Sequence, residues 1–218
     1  MMNVIIIPAR SGSQRLKNKN LLMIGKKTLI EKTIIFSKKI RNIDQIIVSS
    51  NDLRILSYEK KFKNIYFLKR PKVLSSRNSL LIHTIKYLNE LYKKKFENIL
   101  ILQPTSPFRS EKLINKNWLK FIKSKKTLKS NISVSEETVS KKKKFFIRKG
   151  YLIQRKKISN NHKYYEANGN FFMVNIKFMN KFRKFVKSNF TIATVIDKKK
   201  YAIDIDTKKE YIQALRYK

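Results

Sequence analysis

Apolar residues along this chain fall into short unbroken runs, separated by longer stretches with helical spacing. Val4–Ile7 is a β-branched run with no polar interruption, the pattern of a strand buried on both faces. Gln45–Ser49 and Asn98–Leu102 repeat it, and Ile65–Leu68, Asn131–Val134, Asn170–Val174, Thr191–Val195 and Tyr201–Ile205 read as further strands. Between them, Thr28–Ile40, Asp52–Phe62, Ser79–Tyr92 and Glu111–Ile122 read as helices, and Lys208–Leu215 as the last one. Strands alternating with helices predict an α/β fold, a doubly wound and mostly parallel sheet. Ligands in such sheets bind beyond the carboxyl ends of the strands, which directs attention to 8–20, 49–52 and 103–110.

One stretch departs from the alternation. Phe145–Arg148 and Tyr151–Arg155 flank Lys149-Gly150, a hairpin turn. Residues 141–163 therefore read as a β-ribbon projecting from a single domain that spans 1–218, suited to a partner subunit or a lid.

Composition narrows the chemistry. There is no Cys, which excludes disulfides, thiolate nucleophiles and Cys-ligated metals. The two His residues, His83 and His162, cannot build a multi-His zinc site within one chain. Val4–Ile7 is far too short to span a bilayer and lacks the flanks of a signal peptide, so a soluble cytoplasmic protein with no membrane partner is expected. The net charge of +38 raises the idea of a nucleic-acid binder. Lys is spread over nearly every segment, however, and the aromatic residues sit in apolar runs. That distribution fits compositional drift better than a specific nucleic-acid surface.

Three motifs carry candidate chemistry. In Ala9–Asn20 a strand ends in Gly12, Ser11, Ser13 and the cations Arg10, Arg15, Lys17 and Lys19. Those types form a phosphate cradle, or equally a basic surface loop in a Lys-rich chain; neither a Walker A loop nor G-x-G-x-x-G is present. In IDIDT, Asp204 and Asp206 stand two apart, so they share one strand face and repel unless a cation lies between them. Mg²⁺ beside phosphates suits such a pair, and Asp206 also suits a helix cap. In LQPTSPFRS two prolines stiffen a loop bearing Gln103, Thr105, Ser106 and Arg109, fit for a polyhydroxylated or amide-bearing ligand with Arg109 on a carboxylate, or for a rigid turn capped by Ser110.

PARSGSQRLKNKN, LQPTSPFR, YYEANGNFFMV and IDIDT, in this order and at these separations, resemble the acylneuraminate cytidylyltransferases, the CMP-sialic acid synthetases and their relatives acting on other nine-carbon sugar acids. The resemblance covers Val4 to Leu215. It implies a Rossmann-like nucleotidyltransferase three-layer sandwich, a homodimer, Mg²⁺, and the reaction of CTP with a sugar acid to give the CMP-sugar acid and pyrophosphate. It implies that Ala9, Arg10, Ser13, Gln14, Lys19, Asn20 and Arg70 lie on the nucleotide side, with Ala9 at the cytosine. It implies that Gln103, Thr105, Ser106, Asn168 and Gly169 lie on the sugar side, that Asp204 and Asp206 hold the metal, and that Arg10 and Lys19 join them in catalysis by stabilising the departing pyrophosphate. Departures from the family pattern are Gln14 in place of Lys, Ser49-Ser50-Asn51 in place of Ser-Thr-Asp with Asp52 one place late, Arg77 near an expected acid, and Asn160-Asn161 near an expected Arg-Gln pair. Two alternatives are a cytidylyltransferase for another sugar acid and a non-catalytic basic nucleic-acid binder.

Overall fold

A computed structural model describes residues 1–76, 78–136, 145–154 and 163–217. In chain order the elements are β1 (Met2–Pro8), β2 (Met23–Ile24), β3 (Lys27–Thr28), α1 (Leu29–Ser37), β4 (Gln45–Ser50), α2 (Leu53–Leu56), β5 (Tyr66–Lys69), α3 (Lys72–Ser75), α4 (Leu81–Leu91), β6 (Phe96–Ile101), α5 (Glu111–Lys123), β7 (Ser130–Glu136), β8 (Phe145–Arg148), β9 (Tyr151–Gln154), β10 (Tyr165–Asn175), α6 (Ile176–Phe182), β11 (Thr191–Val195) and α7 (Lys208–Leu215).

Nine strands form one sheet in the order β5-β4-β1-β6-β10-β7-β11-β9-β8. β1 lies parallel between β4 and β6, so both of its edges are paired, and helices cover both faces of its apolar run. Ile5 and Ile7 face α1 and α5, against Ile30, Ile34, Ile114 and Trp118. Val4 and Ile6 face α4 and α6, against Ile82, Ile85, Phe178 and Met179. The result is the three-layer α/β sandwich that unbroken apolar strands require. β10 runs antiparallel to both β6 and β7 and breaks the parallel order.

Several boundaries differ from the sequence reading, each for a local reason. The helix expected over 52–62 is α2 followed by a 3-10 turn at Ser57–Lys60. The strand expected at Asn170–Val174 begins five residues earlier and takes in YEANGN. Its register shifts between Ala167 and Phe172, a bulge that re-aims the Asn-Gly pair. The segment after Asn175 is helical, because the Asn175 side chain caps it by accepting from the Phe178 amide. No strand forms at Tyr201–Ile205. Lys199–Ala202 is a 3-10 turn, and Ile203–Asp206 has no ladder partner. Ile203 and Ile205 are instead buried with Phe108 and Ala214, so alternation survives without a sheet. The hairpin forms as expected. Its described part, β8–β9, is seated on the sheet through β11 and β10, with Leu152 buried beneath it. Positions 141–144 and 155–162, with Asn160, Asn161 and His162, lie outside the described residues, as does Arg77. His83 is exposed on α4.

Helix α1 is fixed at its start by a capping box. Glu31 receives the Thr28 amide at 2.9 Å, while the Thr28 side chain accepts from the Glu31 amide. Burial pushes the Glu31 carboxyl up, but Lys61 at 2.5 Å and the Thr28 bonds outweigh it and hold the pKa below 4.5. A depressed carboxyl stabilises the fold above its unfolded pKa and loses that contribution as pH falls through the folded value. Glu31→Gln is therefore expected to cost about 1–2 kcal/mol in denaturant melts at pH 7. The gap from wild type should shrink below about pH 4.5; a gap constant into acid would contradict the assignment.

Candidate active site

The site lies beyond the carboxyl ends of β1, β4 and β6, as the sheet order requires. The loop after β1 turns at Gly12, with φ +82°. Asn51 holds it from the end of β4, accepting from the Ser11 amide at 2.8 Å and donating to the Ser11 hydroxyl at 2.7 Å. Asn20 donates to the Arg10 carbonyl at 3.0 Å and closes the loop on itself. The Asn at position 51, a departure from the family pattern, thus has a defined role here as a loop brace. Asp52 caps α2 and pairs with Arg54.

Arg70 is buried at the end of β5. Its guanidinium donates to the hydroxyl and carbonyl of Ser49, at 3.2 and 3.1 Å. Burial and then the nearby Arg10 lower its pKa to about 10. Arg10 donates to the Ser76 carbonyl. No ion pair neutralises either guanidinium among the described residues, so an anion between them would be strongly favoured.

The opposite wall is acidic. Lys19 and Arg15 each reach Asp206 at 2.5 Å. Burial raises the Asp206 carboxyl, but Lys19 and Arg15 outweigh it and hold the pKa below the usual carboxylate range. Asp204 is buried more deeply. Burial and the neighbouring Asp206 raise its pKa, partly offset by a Thr105 hydrogen bond and Lys19. The Ile205 amide donates to the Thr105 carbonyl at 2.8 Å and locks the acidic segment onto the 103–110 loop. Arg109 is buried behind that loop, donating to the carbonyls of Gln103 and Asn170 and to Thr33. It joins two loop ends and is buried, with each of its three nitrogens bonded to the protein, which corrects the expectation that it pairs with a substrate carboxylate.

Gly169 sits where these walls meet, at φ +73°. A Cβ there would lie 2.9 Å from Asp204 Oδ2, Gln103 Oε1 and Ser106 Oγ. Only glycine lets three oxygens approach one point so closely. That all-oxygen convergence is the donor chemistry of a hard cation.

Two hollows open from this junction. One, about 380 Å³, is lined by Arg10, Ser13, Lys19, Asn20, Arg70, Ser79, Gln103, Thr105, Asp204 and Asp206. The other, about 680 Å³, is lined by Asn168, Glu166, Glu210, Asp197, Arg15 and again Asp204 and Asp206. Of the residues expected at the site, four stand off these walls, among them Gly169 itself, which packs behind Asp204 and Gln103. Ala9 is buried, and its amide donates to Ser49 while its carbonyl accepts from Ser50. Ser106 is buried behind Asp204, donating to the Asn168 carbonyl. Gln14 is exposed and lines neither hollow.

A model of the cytidylyltransferase family matches residues 4–218. The chain belongs to that family. The chain is 33% identical over 119 residues to the CMP-N,N'-diacetyllegionaminic acid synthase of Legionella pneumophila, covering 52% of this chain and 50% of that one. It is 35% identical over 106 residues to an N-acylneuraminate cytidylyltransferase of Escherichia coli, covering 49% of this chain and 25% of that one. The matched regions thus span about half the length of the first of these curated relatives and a quarter of the second. In fold it is similar to a CMP:2-keto-3-deoxy-manno-octonic acid synthetase solved with CTP, at TM-score 0.71 and 15% identity over 100% of this chain and 99% of that one. It is likewise similar to a 4-diphosphocytidyl-2C-methyl-D-erythritol synthase from Anaerococcus prevotii, at TM-score 0.63 and 18% identity over 99% and 95%. No helix among the described residues is long and apolar enough to cross a membrane.

Sequence reasoning missed Ser79 and Glu166. The Ser79 hydroxyl is buried on the first hollow with no partner among the described residues, and no motif marks it. Glu166 was findable. It is one of only 14 acidic residues and stands two before Asn168 in the EANGN stretch.

Crowding at Gly169 can be separated from its backbone conformation. Gly150 has φ +79° but open space where a Cβ would go. Gly150→Ala should cost about 1 kcal/mol, the left-handed penalty alone. Gly169→Ala should cost at least ~1 kcal/mol more, by displacing Asp204 or Ser106. Equal losses in denaturant melts would show that the three oxygens are not in contact with this position.

Proposed function

We propose that this cytidylyltransferase activates a nonulosonic, sialic-type sugar acid with CTP, releasing pyrophosphate and the CMP-sugar acid. The observation that carries this reading is the pair of hollows, one basic and one rich in acceptors, meeting at Asp204 and Asp206. The named activities of the Legionella and Escherichia relatives support the sugar-acid class.

In this reading the triphosphate of CTP lies along Arg10, Ser13, Lys19 and Asn20, with Arg70 on the nucleoside side. Gln103 and Thr105 orient the sugar acid, while Ser106 and Gly169 fix their geometry from behind. The anomeric hydroxyl attacks the α-phosphorus, loses its proton, and the bond to the β-phosphate oxygen breaks. Transfer of this kind needs alignment and charge neutralisation more than covalent help. Lys19 and Arg10 stabilise the negative charge gathering on the departing pyrophosphate.

Mg²⁺ belongs to the same proposal. Among the described residues no cluster of three or more His, Asp or Glu gathers, so the ion would take Asp204 and Asp206 and complete its shell with phosphate oxygens and water. Bound there, it would neutralise phosphate charge and make the sugar hydroxyl more acidic. A cytoplasmic location and a homodimer through the hairpin region complete the proposal.

The test is pyrophosphate release across a panel of nonulosonic acids. Release should require CTP, Mg²⁺ and one of the acids together. Arg10→Ala should lower turnover on the order of 10²-fold, as removal of other electrostatic stabilisers does. Turnover with an eight-carbon acid alone would redirect the substrate assignment, and unchanged turnover in Arg10→Ala would remove that residue from the mechanism.

A further inference from the structure

Asp206 carries a cation on each of its carboxylate oxygens. Lys19 donates to Oδ1 and Arg15 to Oδ2, both at 2.5 Å. Asp204, two residues earlier, is bonded instead by the neutral hydroxyls of Thr105 and Ser106. The backbone at Asp206 is fixed, because the Asp206 and Thr207 amides both donate to Glu210 at the capped start of α7, at 2.6 and 2.7 Å. The carboxylate is therefore presented at a set place, and the cations on it come from the mobile ends of long side chains.

A divalent ion on Asp206 would have to share it with an ammonium and a guanidinium. Each oxygen keeps a second lone pair. Three positive centres around one carboxylate repel one another, however, and Mg²⁺ demands short, near-octahedral oxygen contacts. At least one of the two cations must move aside. They are not equivalent. Lys19 is 16% exposed and lines the smaller hollow, where the proposed reaction offers it a phosphate. Arg15 is 65% exposed, lines the larger hollow and not the smaller, and makes no other hydrogen bond among the described residues. Only Asp206 holds the Arg15 guanidinium in place, and an exposed pair of this kind is weak enough to exchange.

We propose that Arg15 is a placeholder at the cation site: it occupies Asp206 in the free protein and must give way before a divalent ion can bind there, so that the free protein takes up the ion weakly. Arg15 acts through Asp206 and touches no reacting atom, which makes it a positioning residue. The inference rests on the proposed metal-dependent reaction and adds the competitor that the metal has to displace.

The experiment titrates Mn²⁺ into the full chain without nucleotide and counts the unbound ion by its electron paramagnetic resonance signal. Arg15→Ala should bind Mn²⁺ roughly three- to tenfold more tightly than wild type, the scale of an exposed ion pair lost together with its repulsion of the metal. Arg15→Gln should show the same gain, which keeps the test valid if the Ala variant folds poorly. Lys199→Ala is the control. Lys199 lines the same hollow without pairing with Asp206, so its removal takes away the same charge and should change Mn²⁺ affinity less than about twofold. Equal affinities in wild type and both Arg15 variants, or an equal gain in Lys199→Ala, would overturn the placeholder while leaving the reaction standing. Pyrophosphate release that needs no divalent ion would overturn the metal reading, and the inference with it.

Discussion

The arrangement depends on how closely three loops approach at Gly169. Gln103 and Ser106 come from the loop after β6, Asp204 from the segment before α7, and Gly169 from the bulge in β10. Carboxylate, amide and hydroxyl oxygens share one small volume there. Such a junction forms only if the surrounding structure fixes each loop separately. Arg109 does this for the first and third loops by donating to the carbonyls of Gln103 and Asn170. The Ile205 amide does it for the second by donating to Thr105. Asn170 adds two more ties, to the carbonyls of Phe108 and Tyr201. The bonded groups are backbone carbonyls, so the geometry is set before any ligand arrives.

Charge then divides the space on either side of the junction. Arg10 and Arg70 line the smaller hollow with no ion pair of their own among the described residues, while Lys19 and Arg15 already satisfy Asp206. The first pair therefore has an unmet need for an anion, and the second does not. This distinction matters more than the total of 52 Lys and Arg, because exposed cations are screened by salt and buried or half-buried ones much less. It also explains why the general basicity of the chain says little about its chemistry. The acceptor-rich hollow is shaped against that background by a few carboxylates from β7, β10 and the loop before α7.

Sequence made the sheet readable where burial is two-sided. Val4–Ile7, Gln45–Ser49 and Asn98–Leu102 read as interior strands and are, and the loops after the first and last of them line the smaller hollow. It was less informative where tertiary contacts override local pattern. IDIDT alternates like a strand, yet its backbone pairs with a loop carbonyl and its isoleucines are buried away from the sheet. Arg109 looked like a substrate contact because a lone sequence position does not reveal which carbonyls will surround it. The value of Gly169 was equally hidden. The glycine was visible, but the three oxygens around it lie more than 60 and about 35 residues away in the chain. Ser79 left no signal at all, since an unpaired hydroxyl is a property of its surroundings.

If the two hollows meet at Asp204 to do chemistry, that residue must matter to turnover far more than to nucleotide binding. The measurement is CTP affinity by calorimetry alongside pyrophosphate release for Asp204→Asn, a change that keeps shape and removes charge. CTP should bind within about threefold of wild type, while release should fall on the order of 10²-fold or more. Release near the wild-type rate would contradict a catalytic junction at Asp204.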